Sequence, residues 1–452
     1  TEHGALTQAL ADSLPGWVST QRWYAGKGHL PQLRRIGARS WPDPTGEAGI
    51  EVHLVLDTAG GRHTVYQMPF TIRRAPLAGA EQALVATRAG SAPDTNGATY
   101  VYDGPHDPVY ATALMAAIGG HEIAMTASRV LRGEQSNTSI IIDGLAPDGS
   151  AHPVIAKIYR VLHHGENPDV IIQSALAAAG CDRVPAPIGS IEGSWPDASV
   201  DGGRARGHLA FVQEFLAGTQ DAWRVAAHAL AEGSDFTTAA HALGAATAEV
   251  HQTLARALET REATPEDRRA LVRTWRTRHT TAVSEVPALA EHDAVIRAVY
   301  DEAGVAPWPA LQRVHGDYHL GQVLDAPGRG WVLLDFEGEP LRPLSERSQP
   351  DLALRDVAGM LRSFDYAAGA HVMAHPQDDE LASAWAAACR EAFLDGYADV
   401  AADPRDEAVL LAALELDKAL YEVVYEARNR PRWLPIPGQA VERIVASRKA
   451  PG

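Results

Sequence analysis

Cysteine is nearly absent. Cys181 and Cys389 are the only two in 452 residues, which excludes a disulfide framework and a cysteine-rich zinc module and fits a reducing compartment. Positive charge is also short. Lys plus Arg number 40 against 57 Asp plus Glu, a formal charge of −17, and that field repels phosphate backbones, so no nucleic-acid partner is expected. An anionic substrate would need a local positive site or a metal. No run approaches the ~20 consecutive apolar residues of a membrane span, so no membrane partner is expected either. The start, Thr1-Glu-His-Gly-Ala5, lacks a basic stretch followed by an apolar core. No signal peptide is expected, and the chain reads as cytoplasmic. What is present is ordinary: 46% apolar and 21% charged residues describe a globular protein, with length for about three domains at roughly 150 residues each.

The pattern changes along the chain. Glu51–Asp57 and His63–Met68 alternate in period two around Gly60-Gly61, a hairpin signal, so residues 1–90 read as a β-rich cap. Thr138–Asp143 and Pro153–Tyr159 flank the turn-forming Ala146-Pro-Asp-Gly-Ser150. Pro168–Ala179 has helical composition and stops at Gly180, and His208–Leu216 reads as a further strand. Residues 91–215 therefore form a β-rich piece with one helix. From 216 to 452, apolar residues recur at helical spacing, as in Phe236–Leu258 and Asp406–Arg428, except for a loop–strand–loop block at 311–340. The expected class is α+β: a β-rich cap and N-lobe followed by a mostly helical C-lobe.

The densest polar constellation is Val314-His-Gly-Asp-Tyr-His-Leu-Gly-Gln-Val-Leu324, followed by Trp331-Val-Leu-Leu-Asp-Phe-Glu-Gly-Glu339. Asp317 precedes the amide Gln322 by five residues, and Asp335 ends an apolar strand thirteen residues later. Phosphoryl transfer needs this set: one carboxylate to orient and deprotonate an acceptor hydroxyl, and a carboxylate with an amide carbonyl to hold Mg²⁺. Taken singly, each Asp reads better as a turn cap. His315 and His319 lie four apart, but with no HExxH and no third ligand nearby they do not make a zinc site.

These motifs resemble the aminoglycoside-phosphotransferase-like, or eukaryotic-like, small-molecule kinases. Within that superfamily, Gln21-Arg-Trp-Tyr-Ala-Gly-Lys27, Glu134-Gln-Ser-Asn-Thr-Ser139, Asp335-Phe-Glu-Gly-Glu-Pro340, Arg355-Asp-Val-Ala-Gly-Met-Leu-Arg-Ser-Phe364 and the stretch from Glu415 to Pro437 are similar to actinobacterial maltokinases. The resemblance implies a bilobal protein-kinase-like fold with ATP and Mg²⁺ as cofactors and a small-molecule sugar as acceptor. It also implies roles. Asp317 is the catalytic base, Asp335 and Gln322 are metal ligands, and Lys157 reaches the α/β-phosphates. Ser136, Asn137 and Thr138 belong to the phosphate-facing hairpin, and backbone groups near Gln213 and Phe215 meet adenine. One departure stands out. The maltokinases carry a glutamate partner for the lysine where this chain has Ile171, which leaves Gln173 or another acid to support Lys157.

Asp417, Tyr421 and Tyr425 recur every four residues, with Lys418, Glu422 and Glu426 as the neighbouring stripe. Asp417, Tyr421, Glu422, Tyr425 and Glu426, together with His319, Asp317 and the flat face of Trp433, form the expected acceptor site; in the alternative, Lys418, Arg428 and Arg430 are plain structural counterions for the two glutamates. Departures at 346–354 and 438–440 suggest a sister branch of the maltokinases, as in glucosamine kinases. The expected reaction is ATP-dependent phosphorylation of glucosamine at carbon 6. Maltose phosphorylated at its anomeric hydroxyl and a catalytically silent kinase-like binding protein are the alternatives.

Overall fold

The computed structural model describes residues 2–88, 97–120, 122–131, 137–339 and 342–449. They divide into two units, one of residues 1–170 and 186–217, the other of residues 171–185 and 218–452.

The first unit begins with α1 (Glu2–Thr20), a helix absent from the sequence expectation, and continues with β1 (Leu33–Trp41), β2 (Gly49–Asp57), β3 (Thr64–Arg73), β4 (Leu84–Arg88) and β5 (Thr99–Asp103). The reversal between β2 and β3 passes through Gly60 and Gly61, both at positive φ (64° and 76°), where a Cβ would cost roughly 1–2 kcal/mol per residue. Next come α2 (Pro108–Ala117), β6 (Ala124–Val130), β7 (Asn137–Leu145), β8 (Val154–Tyr159) and β9 (Val161–Leu162). The helix α3 (Pro168–Ala178) follows, belonging to the second unit from Ile171 onward, and β10 (Pro187–Pro196) and β11 (Arg204–Glu214) complete the first unit. One sheet has the order β1-β2-β3-β5-β4 with β9 also on β3, so it runs on past residue 90; the other has the order β10-β11-β8-β7-β6. Both are antiparallel throughout. Alternate apolar residues of both sheets, including Val52, Ile140, Ile158 and Val212, share one core with Tyr110 and Leu114 of α2. Fully buried Arg160 pins the sheets: Nε donates to Thr138 Oγ1 at 2.8 Å, Nη2 to both Asp103 oxygens at 2.9 and 2.7 Å, and the guanidinium lies 5.0 Å over Trp23.

The second unit is helical around a small antiparallel sheet: β12 (Gln220–Asp221), α4 (Ala222–Ala231), α5 (Thr237–Ala257), α6 (Pro265–Glu285), α7 (Asp293–Val305), β13 (Val323–Ala326), β14 (Gly330–Leu333), α8 (Leu344–Arg347), α9 (Leu354–Ala374), α10 (Asp379–Ala398), α11 (Ala408–Asn429) and α12 (Pro435–Lys449). Its core gathers Leu243, Val250, Phe336, Val357, Leu361, Phe364, Leu414 and Leu420. The β13–β14 hairpin carries the loop–strand–loop block of the sequence, and α11 carries the expected acceptor stripe. No described helix is long and apolar enough to cross a membrane.

Candidate active site

The loop bearing Asp317 is held from below by a residue the sequence reading did not single out. Asp356, buried in the first turn of α9, accepts the His315 N–H at 2.7 Å on Oδ2 and the Gly316 N–H at 2.9 Å on Oδ1. His251 Nε2 lies 3.0 Å from the same Oδ2 and is itself placed by Tyr397. Burial pushes the Asp356 carboxyl up, but His251, His315 and the Gly316 N–H outweigh it and hold the group ionised below the ordinary range. The next turn of α9 must come close: a Cβ on Gly359 would lie 2.5 Å from the Tyr318 carbonyl oxygen. His315 is a second pin. Nε2 donates to the Leu334 carbonyl at 2.7 Å, tying the Asp317 loop to the segment that ends at Asp335.

Asp317 meets a lysine. Lys418 Nζ, from α11, donates to Asp317 Oδ1 at 3.3 Å, with each side chain about one-quarter exposed (26% and 22%). Burial raises the Asp317 pKa, and Lys418, with His319 and His315, more than reverses it, leaving the carboxyl below its usual range. Lys418 is held charged in turn: burial disfavours the ammonium, but Asp317, Glu339 and Glu422 raise its pKa on balance. His319 accepts the Gly321 N–H on Nδ1 at 3.1 Å, and burial lowers its pKa. Its ring is therefore neutral near pH 7, with the proton on Nε2.

Asp335 adopts φ 62°, the only positive φ at a non-glycine among the described residues, a strain that functional loops retain. Gln322 Nε2 donates to Asp335 Oδ2 at 3.2 Å. Amide nitrogen and oxygen exchange by a half-turn of the group, so the same position can present a carbonyl oxygen. An octahedral Mg²⁺ with bonds of about 2.0–2.1 Å sets adjacent ligands about 2.9 Å apart, and this pair of donors fits it.

In the first unit, Lys157 on β8 has its partner: Nζ donates to Asp169 Oδ2 at 3.0 Å. The acid missing at position 171 is thus replaced by Asp169, which sits in the first turn of α3 with its side chain 2% exposed. The helix N-terminus favours that negative charge. The other expected nucleotide residues have the following surroundings. The Thr138 hydroxyl accepts from Arg160 Nε at 2.8 Å. The Phe215 N–H donates to the Pro153 carbonyl, so that donor is taken, and its own carbonyl accepts from Ala217, with one lone pair left over. Gln213 lies in register with Ile155 and Pro187. Asn137 begins β7 opposite Tyr159. Ser136 lies outside the described residues.

The expected acceptor residues of the second unit largely come together. His319, Tyr421, Glu422, Tyr425, Glu426 and Trp433 line a cavity of about 540 Å³ that Lys418, Trp223, Tyr366 and Arg430 also border. That volume is in the range of small-molecule sites. Glu426 is fully engaged: Oε1 accepts from Tyr366 and Arg430 at 3.1 and 2.6 Å, and Oε2 from Arg430 at 2.9 Å. Glu422 differs, because both Arg362 bonds, at 2.9 and 2.7 Å, fall on Oε2. Trp433 stacks at 20° on Tyr366, with Arg430 4.7 Å over its ring. Asp417 is the correction. It does not line the cavity but turns into the protein, 2% exposed, with Oδ2 2.6 Å from Arg278. Lys418 was the opposite miss, read only as a counterion for Glu422.

Comparison with known proteins follows the same line. Residues 17–107 match the maltokinase N-terminal cap domain. A glucosamine kinase of Streptacidiphilus jiangxiensis is 30% identical over 451 residues, covering 94% of this chain and 90% of that protein. A glucosamine kinase of Mycolicibacterium smegmatis is also 30% identical, over 72% of this chain and 83% of that protein. A solved glucosamine kinase in complex with glucosamine, ADP and inorganic phosphate has the same fold, with a TM-score of 0.66 at 24% identity over 95% of this chain and 98% of that one.

Proposed function

The chain belongs to the glucosamine kinase family, and we propose that it transfers the γ-phosphoryl group of ATP to glucosamine, at the primary hydroxyl on carbon 6. The observation that carries this reading is Lys418: it borders the cavity of aromatic and acidic side chains and at the same time holds Asp317. A sugar placed in that cavity packs its ring faces on Tyr421, Tyr425 or Trp433 and brings a hydroxyl to Asp317. Asp317, kept ionised, accepts the hydroxyl proton as the oxygen forms its bond to the γ-phosphorus and the bond to the ADP oxygen breaks. His319 Nε2–H donates to sugar or phosphate oxygen. Glu422 Oε1, outside the Arg362 pairing, accepts from the 2-ammonium.

Lys157, fixed by Asp169, takes the α/β-phosphate oxygens, with Asn137 at the hairpin. Asp335 and Gln322 hold Mg²⁺, which supplies positive charge for the phosphate oxygens. A kinase drawing on ATP and a metabolic sugar belongs in the cytoplasm. The cap match keeps maltose as the second reading.

An ADP-release assay over a panel of mono- and disaccharides, with product NMR, tests both readings. The expected result is the highest kcat/KM for glucosamine, with phosphate on carbon 6. Equal or higher kcat/KM for maltose would overturn the choice of acceptor and leave the kinase standing. No sugar-dependent turnover at all would favour a silent binding protein.

A further inference from the structure

We propose that His371, His375 and Asp378 form a binding site for a zinc-class divalent metal ion at the C-terminal end of α9. One ligand atom from each side chain lies within 4.8 Å of the other two. The chain builds this arrangement locally. His371 and His375 are four residues apart on the same helical face, and their rings stack at 27° with centroids 4.6 Å apart. Pro376 has no N–H to continue the helix, and α9 closes at His375 with φ −135° and ψ 74°. The short turn Pro376–Asp378 then folds back, placing Asp378 Oδ2 3.0 Å from His371 Nε2.

The chemistry of the donors selects the ion. Two imidazoles and a carboxylate make a set used by Zn²⁺ with water in the fourth position. Mg²⁺ and Ca²⁺ prefer oxygen ligands, so the ion bound here is distinct from the Mg²⁺ of phosphoryl transfer. Zn–N and Zn–O bonds of about 2.0–2.1 Å in a tetrahedron place neighbouring ligand atoms about 3.3 Å apart, close to the His371–Asp378 spacing. The exposed His375 can swing in to close the third side. His375 Nδ1 lies 3.3 Å from the His371 carbonyl oxygen. Donation to that oxygen leaves Nε2 bare as the ligand, the outer-shell arrangement that orients metal-bound imidazoles. Among the described residues no lysine or arginine pairs with Asp378, so its negative charge is met by a ring nitrogen alone. A bound ion would clip the end of α9 to the turn that starts α10.

The test uses tag-free full-length protein saturated with Mg²⁺ and titrated with ZnCl₂ by calorimetry, alongside His375→Ala and Asp378→Asn. The wild type is expected to bind a Zn²⁺ equivalent that each variant weakens by at least about tenfold. Zn²⁺ should raise the thermal midpoint of the wild type and not of the variants. Co²⁺ in place of Zn²⁺ should give tetrahedral visible absorption that His375→Ala loses. His375 is exposed and lies outside the proposed reaction, so metal-free His375→Ala should fold and turn over like the wild type. Zn²⁺ affinity and thermal shift unchanged in both variants would overturn the proposal and assign the ion elsewhere, for instance to His315 and His319.

Discussion

Lys157 lies 3.0 Å from Asp169 in the first unit, and Lys418 lies 3.3 Å from Asp317 in the second. The chemistry of the two pairs is the same and their anchoring is reversed. Asp169 is fixed in the first turn of α3, nearly inaccessible at 2% exposure, while Lys157 is 21% exposed. On the proposed function the acid there is the support and the lysine the working group. In the second unit Lys418 springs from the middle of α11, with its Nζ 5.2 Å from the Tyr421 ring centroid, and Asp317 lies on a loop. Here, on the same proposal, the lysine is the support. An ion pair alone does not say which partner acts. Burial distinguishes the partners of the first pair, since Lys157 too lies on a strand, and the placement of Lys418 on a helix and Asp317 on a loop distinguishes those of the second.

The strongest way to break the comparison is to remove the two acids of the second unit. Asp317→Asn should keep nucleotide affinity and lose ~10²–10⁴-fold in kcat, the usual contribution of a general base. A loss below about tenfold would take the role of base away from Asp317. Asp335→Ala should abolish Mg²⁺-dependent ATP binding, read by calorimetry with and without Mg²⁺.

Lys418→Met sharpens the comparison by removing the support and leaving the base. A charge-assisted contact is worth roughly 1.5–3 kcal/mol, so kcat/KM should fall about 10- to 100-fold. The sign of the pH effect follows from the pair. Asp317 must be ionised to act, and its carboxyl is below its ordinary pKa because Lys418, His319 and His315 outweigh burial. Without Lys418, burial pushes upward less opposed, and the acid limb of the pH profile should move to higher pH. A limb that stays in place would mean that Lys418 does not act on Asp317. For stability the depressed carboxyl contributes fully above its unfolded pKa, and that contribution is lost as pH falls through the lowered folded value.

Residues close in sequence were legible and their supports were not. Asp317, Gln322 and Asp335 announce themselves because loop–strand–loop spacing delivers them to one place, and the two glycines at 60–61 announced their hairpin. Lys418 reaches Asp317 across 101 residues and Asp356 reaches His315 across 41, so neither contact leaves a local pattern. On α11 the periodicity showed two stripes without showing which of their residues reach the cavity. Pairing with Arg278 holds Asp417 inward, while Tyr421 and Tyr425 of its stripe line the cavity together with Lys418, Glu422 and Glu426. Asp169 stood two residues from the expected position of the lysine's partner. A carboxylate two residues earlier on the helix can do the same job with a shorter side chain, which a motif match does not register.

Glu422→Gln probes the acceptor end of the same helix. With Arg362 holding one oxygen, the change should cost glucosamine about one to two decades in kcat/KM, the value of a charge-assisted bond to its ammonium. Glucose, which lacks that charge, should change less. An equal loss for both sugars would make Glu422 a structural partner of Arg362 and nothing more.

The smallest effect is expected at Asp169. Asp169→Asn leaves Lys157 in place and removes only the charge that steadies it, so the loss should fall on nucleotide use and not on sugar use. An ion pair with one partner 21% exposed is partly screened, and its worth lies nearer the ~1 kcal/mol of a partly exposed pair than the several of a buried one. That corresponds to a rise of a few-fold, up to about tenfold, in KM for ATP, with KM for the sugar unchanged. Asp169→Glu, which keeps the charge on a longer arm, should recover part of the loss. If Asp169→Asn instead lowered kcat by decades while KM for ATP stayed constant, Asp169 would belong to the chemical step, and the reversed anchoring of the two pairs would fail as an account of their roles.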